Sequence, residues 1–182
     1  GTAGISFTIP AYTPAAGSGN DYLLLDGWYD GGSQAAVTLI TPTDETIGPV
    51  GYGRYYSGNT GSGEVNIWNG FYESGEEIVS GPNPFNGDRE CIIEINDGAG
   101  TAPAAGEWKL RFSGSSERLD MWIASGTMPV TFSTGSSGQT TLTIPASAKN
   151  IIAVGAYTTK ESWVNIDGEN LTLDTKGTIK IG

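Results

Sequence analysis

The residue types in this sequence that can do chemistry fall into a few groups. The run Ser80 to Asp88 (SGPNPFNGD), with Glu90 just after it, offers hard oxygen donors at Asn83, Asn86, Asp88 and Glu90, close to two-residue spacing. Loops of this kind suit Ca²⁺, which takes about six to eight oxygen ligands. Asp26, Asp30 and Asp120 are candidate contributors from elsewhere in the chain. The spacing is not that of an EF-hand, and the same residues serve equally as Asx turns joining two strands. Tyr52, Tyr55 and Tyr56 stand in a glycine-rich stretch and are candidates for an aromatic platform that stacks on sugars. Trp28, Tyr29, Trp68, Phe71 and Tyr72 form a wider aromatic set, in which Trp28 and Trp68 read as core or sheet-face packing. Glu73, Glu76 and Glu77 place carboxylates around a turn. Glycosidic acid/base chemistry needs a carboxylate pair about 5 to 9 Å apart in a cleft, and here the pattern reads as a solvated turn.

The missing types matter as much. The chain has no His, which removes the usual general base and the commonest transition-metal ligand. Neither Ser-His-Asp nor Cys-His catalysis can be assembled from these residues alone. Cys91 is the single cysteine, so there is no internal disulfide. Its place in a β-like run reads as a buried structural thiol. Ser125 to Pro129 (SGTMP), Ser133, Ser136 and Ser137 have no base to activate them. The expectation is a chain that catalyses nothing by itself and needs no cofactor, with calcium the one candidate.

Any site must be positioned by short extended elements. The chain carries 28 Gly and 9 Pro, and its longest stretch free of both is Ala156 to Asp167. Gly and Pro cost about 1 and 3 kcal/mol in a helix interior, so a helical bundle is excluded. With 37% hydrophobic residues and 5 Trp, 8 Tyr and 5 Phe, a real core is expected instead of disorder. Alternation of period two is the dominant signal. Ile5, Phe7 and Ile9 mark a first strand, and Leu23 and Leu25 face one way in a second over Asp21 to Tyr29. A third runs Ala36 to Thr41. Thr43 to Gly63 reads as loop with one short strand around Tyr52 to Tyr56, followed by a strand over Glu64 to Phe71. Arg89 to Asn96 places Cys91, Ile93 and Ile95 on one face. Trp108, Leu110 and Phe112 alternate with Lys109 and Arg111, and Leu119, Met121 and Ile123 with Asp120 and Trp122, which reads as one hairpin. Val130 to Ser133 closes the set.

About eight strands separated by turns imply an all-β fold, an antiparallel jelly-roll or Greek-key β-sandwich over residues 1–134. Gly135 to Gly138 (GSSG) reads as a boundary, and residues 135–182 as a linker plus a fragment of another fold. There Ala146 to Asn150 suggests a helical turn, and Ile151 to Ala156 is apolar on both faces, like a strand buried in a parallel sheet. The net charge of −11 disfavours nucleic acid and anionic lipid as partners. No apolar run approaches the ~20 residues of a membrane span.

Residues 141 to 163, TLTIPASAKNIIAVGAYTTKESW, resemble a segment of subtilisin-like serine proteases. That family's pattern P-A-x-A-x-N-x-I-x-V-G-A is matched by Pro145, Ala146, Ala148, Asn150, Ile152, Val154, Gly155 and Ala156. The AAGEWKLRFSG stretch (Ala104 to Gly114) is also similar to a strand of jelly-roll domains attached to subtilases. The resemblance implies a β-sandwich insertion followed by a piece of an α/β catalytic domain, in a secreted or cell-surface bacterial protease. It also implies a peptide or protein substrate and, as partner, the rest of that protease. The family's D-[ST]-G, H-G-T, A-G-N and G-T-S-M-x-x-P motifs do not occur in this sequence. The other reading of the aromatics and acidic charge is a carbohydrate-binding or adhesive surface module.

Overall fold

The computed structural model describes residues 2–74, 77–114, 119–134, 162–164, 167–173 and 179–181. Among these residues every regular element is a strand. The chain divides into two compact units, Gly1–Ser136 and Ser137–Gly182.

The first unit is an antiparallel sandwich of two sheets. One sheet joins β1 (Thr2–Ile9), β3 (Ala36–Ile40), β4 (Thr46–Val50), β9 (Gly106–Ser113) and β11 (Thr131–Phe132) in the order β11-β1-β9-β3-β4. The other joins β2 (Tyr22–Tyr29), β5 (Arg54–Thr60), β6 (Gly63–Ser74), β8 (Arg89–Asn96) and β10 (Leu119–Gly126) in the order β10-β2-β8-β6-β5, with β7 (Glu77–Ser80) added beside β6. The chain crosses repeatedly between sheets, so β1 meets β9 and β2 meets β8 across long stretches of sequence. This is Greek-key wrapping.

Alternation places one side of every strand in a common core. Phe7, Ile9, Val37, Leu39, Trp108 and Leu110 come from one sheet, and Leu23, Leu25, Val65, Ile67, Ile93 and Ile95 from the other, all essentially buried. Phe7 faces Trp108 in register, with their rings stacked at 6.1 Å and 8° apart. The Trp108 indole N–H donates to the Ala104 carbonyl at 3.1 Å, so the largest core side chain leaves no donor unmet.

The structure corrects three expectations. Leu119 to Gly126 does not form a hairpin with Gly106 to Ser113: β9 pairs with β1 and β3, whereas β10 pairs with β2 in the opposite sheet. Alternation tells a strand which side faces the core but not which neighbour it hydrogen-bonds to. Along β10, Ile123 stands opposite the buried Leu25, on the inward side as expected, but is 40% exposed because β10 is the edge strand of its sheet. The stretch Thr43 to Gly63 holds two strands where one was expected. β4 was hidden by Gly48-Pro49, which interrupts its pattern; it lies at a sheet edge, where a missing N–H is tolerated. Gly48 has φ 100°, and a Cβ there would sit 2.6 Å from the Val37 carbonyl oxygen. β5 starts only at Arg54 because Gly51 to Arg54 forms a turn, with the Arg54 N–H donating to the Gly51 carbonyl at 3.1 Å. β7 was also unforeseen, so the described residues of the sandwich form eleven strands where about eight were expected.

One inward position is polar. Asn69 of β6 is fully buried among the apolar residues. Its amide N–H groups donate to the carbonyls of Ala35 and Val50, each at 2.8 Å, and its carbonyl oxygen accepts the Tyr29 hydroxyl at 2.8 Å. Ala35 and Val50 belong to the segments of the facing sheet, so one amide spans the core. Tyr29 reaches across as well, its ring 6.3 Å from Phe112 of β9.

The second unit contains, among its described residues, an antiparallel three-stranded sheet of β12 (Ser162–Val164), β13 (Asn170–Leu173) and β14 (Ile179–Ile181). The helical turn expected at 146–150 and the apolar strand at 151–156 lie outside the described residues.

Three outcomes follow. Asn69→Ala leaves two buried carbonyls and a buried hydroxyl without partners, and should cost about 3 kcal/mol or more in urea unfolding. Tyr29→Phe removes one hydroxyl and should cost only about 1 to 2 kcal/mol; equal losses would show that the amide does not bridge the sheets. Cys91 is fully buried and its burial pushes the thiol pKa up, so it should resist a disulfide reagent until the protein unfolds.

Candidate functional site

Some of the residues singled out by sequence, among them Asp30, Tyr52, Asn83, Asn86 and Asp88, lie on the loops Asp30–Gly32, Gly51–Gly53 and Ser80–Asp88. Two backbone features draw these loops together. Gly31 and Gly87 approach so closely that a Cβ on Gly31 would lie 1.8 Å from the Gly87 carbonyl oxygen, so this contact admits no side chain at position 31. The Gly53 N–H donates to the Asn69 carbonyl at 2.6 Å, which fixes the Tyr52 turn to β6. Arg89, at the start of β8, then locks both sides. Its Nε donates to the Gly31 carbonyl at 2.9 Å, and its guanidinium lies over the Tyr52 ring, 4.7 Å from the centroid. This is a cation–π contact within the chain.

The four oxygen donors do different things. The Asn83 side-chain oxygen accepts the Phe85 N–H at 2.9 Å, and that of Asn86 accepts the Asp88 N–H at 3.0 Å. Both are Asx turns that shape their own loop. Asp88 lines a shallow depression with Trp28, Tyr29, Asp30 and Asp120, which brings together three of the predicted carboxylates. Glu90 stands on β8 opposite Trp28. Asp26 lies further along β2, opposite Trp122 and Ile92. Among the described residues, no group of three or more His, Cys, Asp or Glu side chains is arranged to hold a metal ion.

The three tyrosines are separated by strand geometry. Tyr52 sits in the turn and is 40% exposed; Tyr55 points outward from β5 and is 70% exposed. Tyr56, one residue on, faces inward and packs against the core. Tyr29 is core, 2% exposed, and burial pushes its phenol pKa up. Trp28 and Trp68 are half-buried on the outer face of the six-stranded sheet, and Phe71 and Tyr72 are half-buried in the β6–β7 hairpin. In that hairpin Glu73 stands opposite Ile78 and Glu77 opposite Ser74; Glu76 lies outside the described residues. The stretch Ser125 to Pro129 is structural: Met128 is buried in the core. Its neighbour Thr127 accepts the Tyr22 N–H at 3.0 Å and donates its hydroxyl to the Asn20 carbonyl at 2.8 Å. Ser133 bonds Thr8 through their hydroxyls at 2.7 Å. Ser136 and Ser137 lie outside the described residues, as do Pro145, Ala146, Ala148, Asn150, Ile152, Val154, Gly155 and Ala156.

Sequence reading missed two groups. Asp21 and Asp97 are 5% and 3% exposed. The Asp97 carboxylate accepts the N–H groups of Asn20 and Asp21 at 3.0 and 3.3 Å, and Asp21 accepts that of Ala15 at 2.9 Å. Burial, then the nearby Asp21 and Asp97 charges, raise the pKa of Tyr12, whose hydroxyl donates to the Pro103 carbonyl at 2.9 Å. These carboxylates tie loops together. The second is Phe85, 91% exposed at a loop tip. Its neighbours Pro84 and Asn86-Gly87 marked the loop, and no pattern marked the ring.

No family model matches the chain, and comparison with curated proteins also gives no match. Among solved structures the chain is similar to the CspB protease of Clostridium perfringens, at 21% identity and a TM-score of 0.63. The match covers 86% of this chain and 30% of that protease, so the chain spans less than a third of that protein's length. At this identity the likeness is one of fold.

With Asn83 and Asn86 committed to backbone N–H groups, the loop should not depend on calcium. The melting temperature is expected to be the same in EGTA and in millimolar Ca²⁺; a rise of several degrees with Ca²⁺ would show a site at Asp30, Asp88 and Asp120.

Proposed function

We propose that this chain is a non-catalytic β-sandwich of a secreted or cell-surface bacterial serine endopeptidase of the subtilisin-like kind. Its role there is to shape substrate access, to steady the catalytic domain or to mediate assembly. The observation that carries this reading is the fold likeness to part of a protease, over most of this chain. The subtilase-like pattern from Pro145 to Ala156 supports it independently, because it is a likeness of sequence.

The chemistry of the sandwich suits a supporting part. The thiol of Cys91 is buried and its pKa raised, which keeps the nucleophilic thiolate from forming. The hydroxyls of Thr8 and Ser133 bond each other, and that of Thr127 accepts the Tyr22 N–H and donates to the Asn20 carbonyl. What the sandwich offers to a partner is surface. In the parent enzyme a Ser nucleophile and His base, supplied outside this chain, would cleave a protein or peptide substrate.

The test is the longer polypeptide. Its sequence should carry D-[ST]-G and H-G-T before this chain and G-T-S-M after it. Purified, it should hydrolyse a fluorogenic peptide, lose that activity on Ser→Ala in G-T-S-M, and the chain alone should show none. Absence of those motifs from the flanking sequence would refute the reading.

A further inference from the structure

The two outer faces of the sandwich differ in charge and in aromatic content. On the five-stranded sheet the outward positions of β9 are Glu107, Lys109 and Arg111, of both signs, with Glu107 and Lys109 paired at 3.4 Å. On the six-stranded sheet the register aligns Tyr55, Trp68, Ile92, Asp26 and Trp122 in one row across β5, β6, β8, β2 and β10. At about 4.8 Å per strand the row is about 19 Å long. Carboxylates flank it on both sides: Glu90 and Asp120 opposite Trp28, and Glu94 beside Leu24. Among the described residues, no Lys or Arg occupies an outward position of these strands.

Part of this acidity is organised. Asn66, only 8% exposed, lies between two glutamates, and its amide donates to Glu64 at 3.4 Å and Glu94 at 3.2 Å. One buried amide therefore holds two carboxylates on neighbouring strands, at the Asn66↔Glu94 pair one outward position along from the Trp68↔Ile92 pair. A guanidinium fits such a surface twice over, stacking on an indole face and pairing with a carboxylate. The chain already makes the stacking contact internally, with Arg89 over Tyr52.

We propose that the outer face of the six-stranded sheet is a docking surface for an extended, arginine-rich polypeptide. About six residues of extended chain would span the row. Charge complementarity selects this occupant over a neutral glycan, which would gain from the rings but not from the carboxylates. The inference goes beyond the protease reading and holds or fails without it.

The experiment titrates the 182-residue chain with octa-arginine in about 0.15 M salt, which screens diffuse attraction, reading tryptophan fluorescence and heat. Saturable binding is expected. Tyr55→Ala, at an exposed site that cannot disturb the core, and Glu94→Gln should each weaken it about fivefold. Trp68→Ala should weaken it at least as much, and Trp68→Phe less. Glu107→Gln on the opposite face should change it less than about twofold. No binding, or equal loss from Glu107→Gln and Glu94→Gln, would overturn the proposal. So would Trp68-dependent binding of a neutral hexasaccharide with none of octa-arginine.

Discussion

A single buried amide holds much of this structure in place. Asn69 is fully buried in the core, and both its amide N–H groups and its side-chain oxygen find partners there in Ala35, Val50 and Tyr29. Hydrophobic burial alone would let two sheets slide against each other, since it is non-directional. An amide in a low-dielectric core is directional, and misalignment would leave costly unmet groups. The Asn69 backbone carbonyl also anchors Gly53, so the turn carrying Tyr52 depends on the same residue. Through Tyr52 the constraint reaches Arg89, and through Arg89 it reaches the Gly31 loop.

With the interior fixed, what remains for function is on the outside. The inner side chains are engaged in packing or hydrogen bonds, and the buried Cys91 is held in its neutral form. The loops that looked like ligand-binding segments use their polar groups on their own backbones. The outer faces are another matter, because alternation turns half of each strand toward the outside, where a partner can reach it. On the reading proposed above, such surfaces are what would guide substrate or hold the catalytic domain.

The sequence revealed the inward faces well and the connections poorly. Phe7, Leu23, Leu25, Ile93, Trp108 and Phe112 were legible because burial imposes alternation on each strand separately. That β9 and β10 belong to different sheets was not legible, since pairing depends on where the whole chain folds back. β4 was masked by Gly48-Pro49, and the far half of β5 by its own polarity, with Ser57, Gly58 and Asn59 at an edge where little need be apolar. Tyr55 and Tyr56 looked like one cluster in sequence, but a period of two sends neighbours to opposite sides. Asn69 did leave a sign: it continues the inward parity of Val65 and Ile67, and a polar residue at such a position points to a bridge.

Asn69 joins the two sheets of the sandwich into one cooperative unit that presents its outer faces as surfaces. Native-state hydrogen exchange tests it most directly. The central amides of β1 and β9 in one sheet, and of β2 and β8 in the other, should open with the same free energy, equal to that of global unfolding. In Asn69→Ala the two sets should separate. Distinct protection in the unsubstituted protein, or sets that stay together without the amide, would contradict the account.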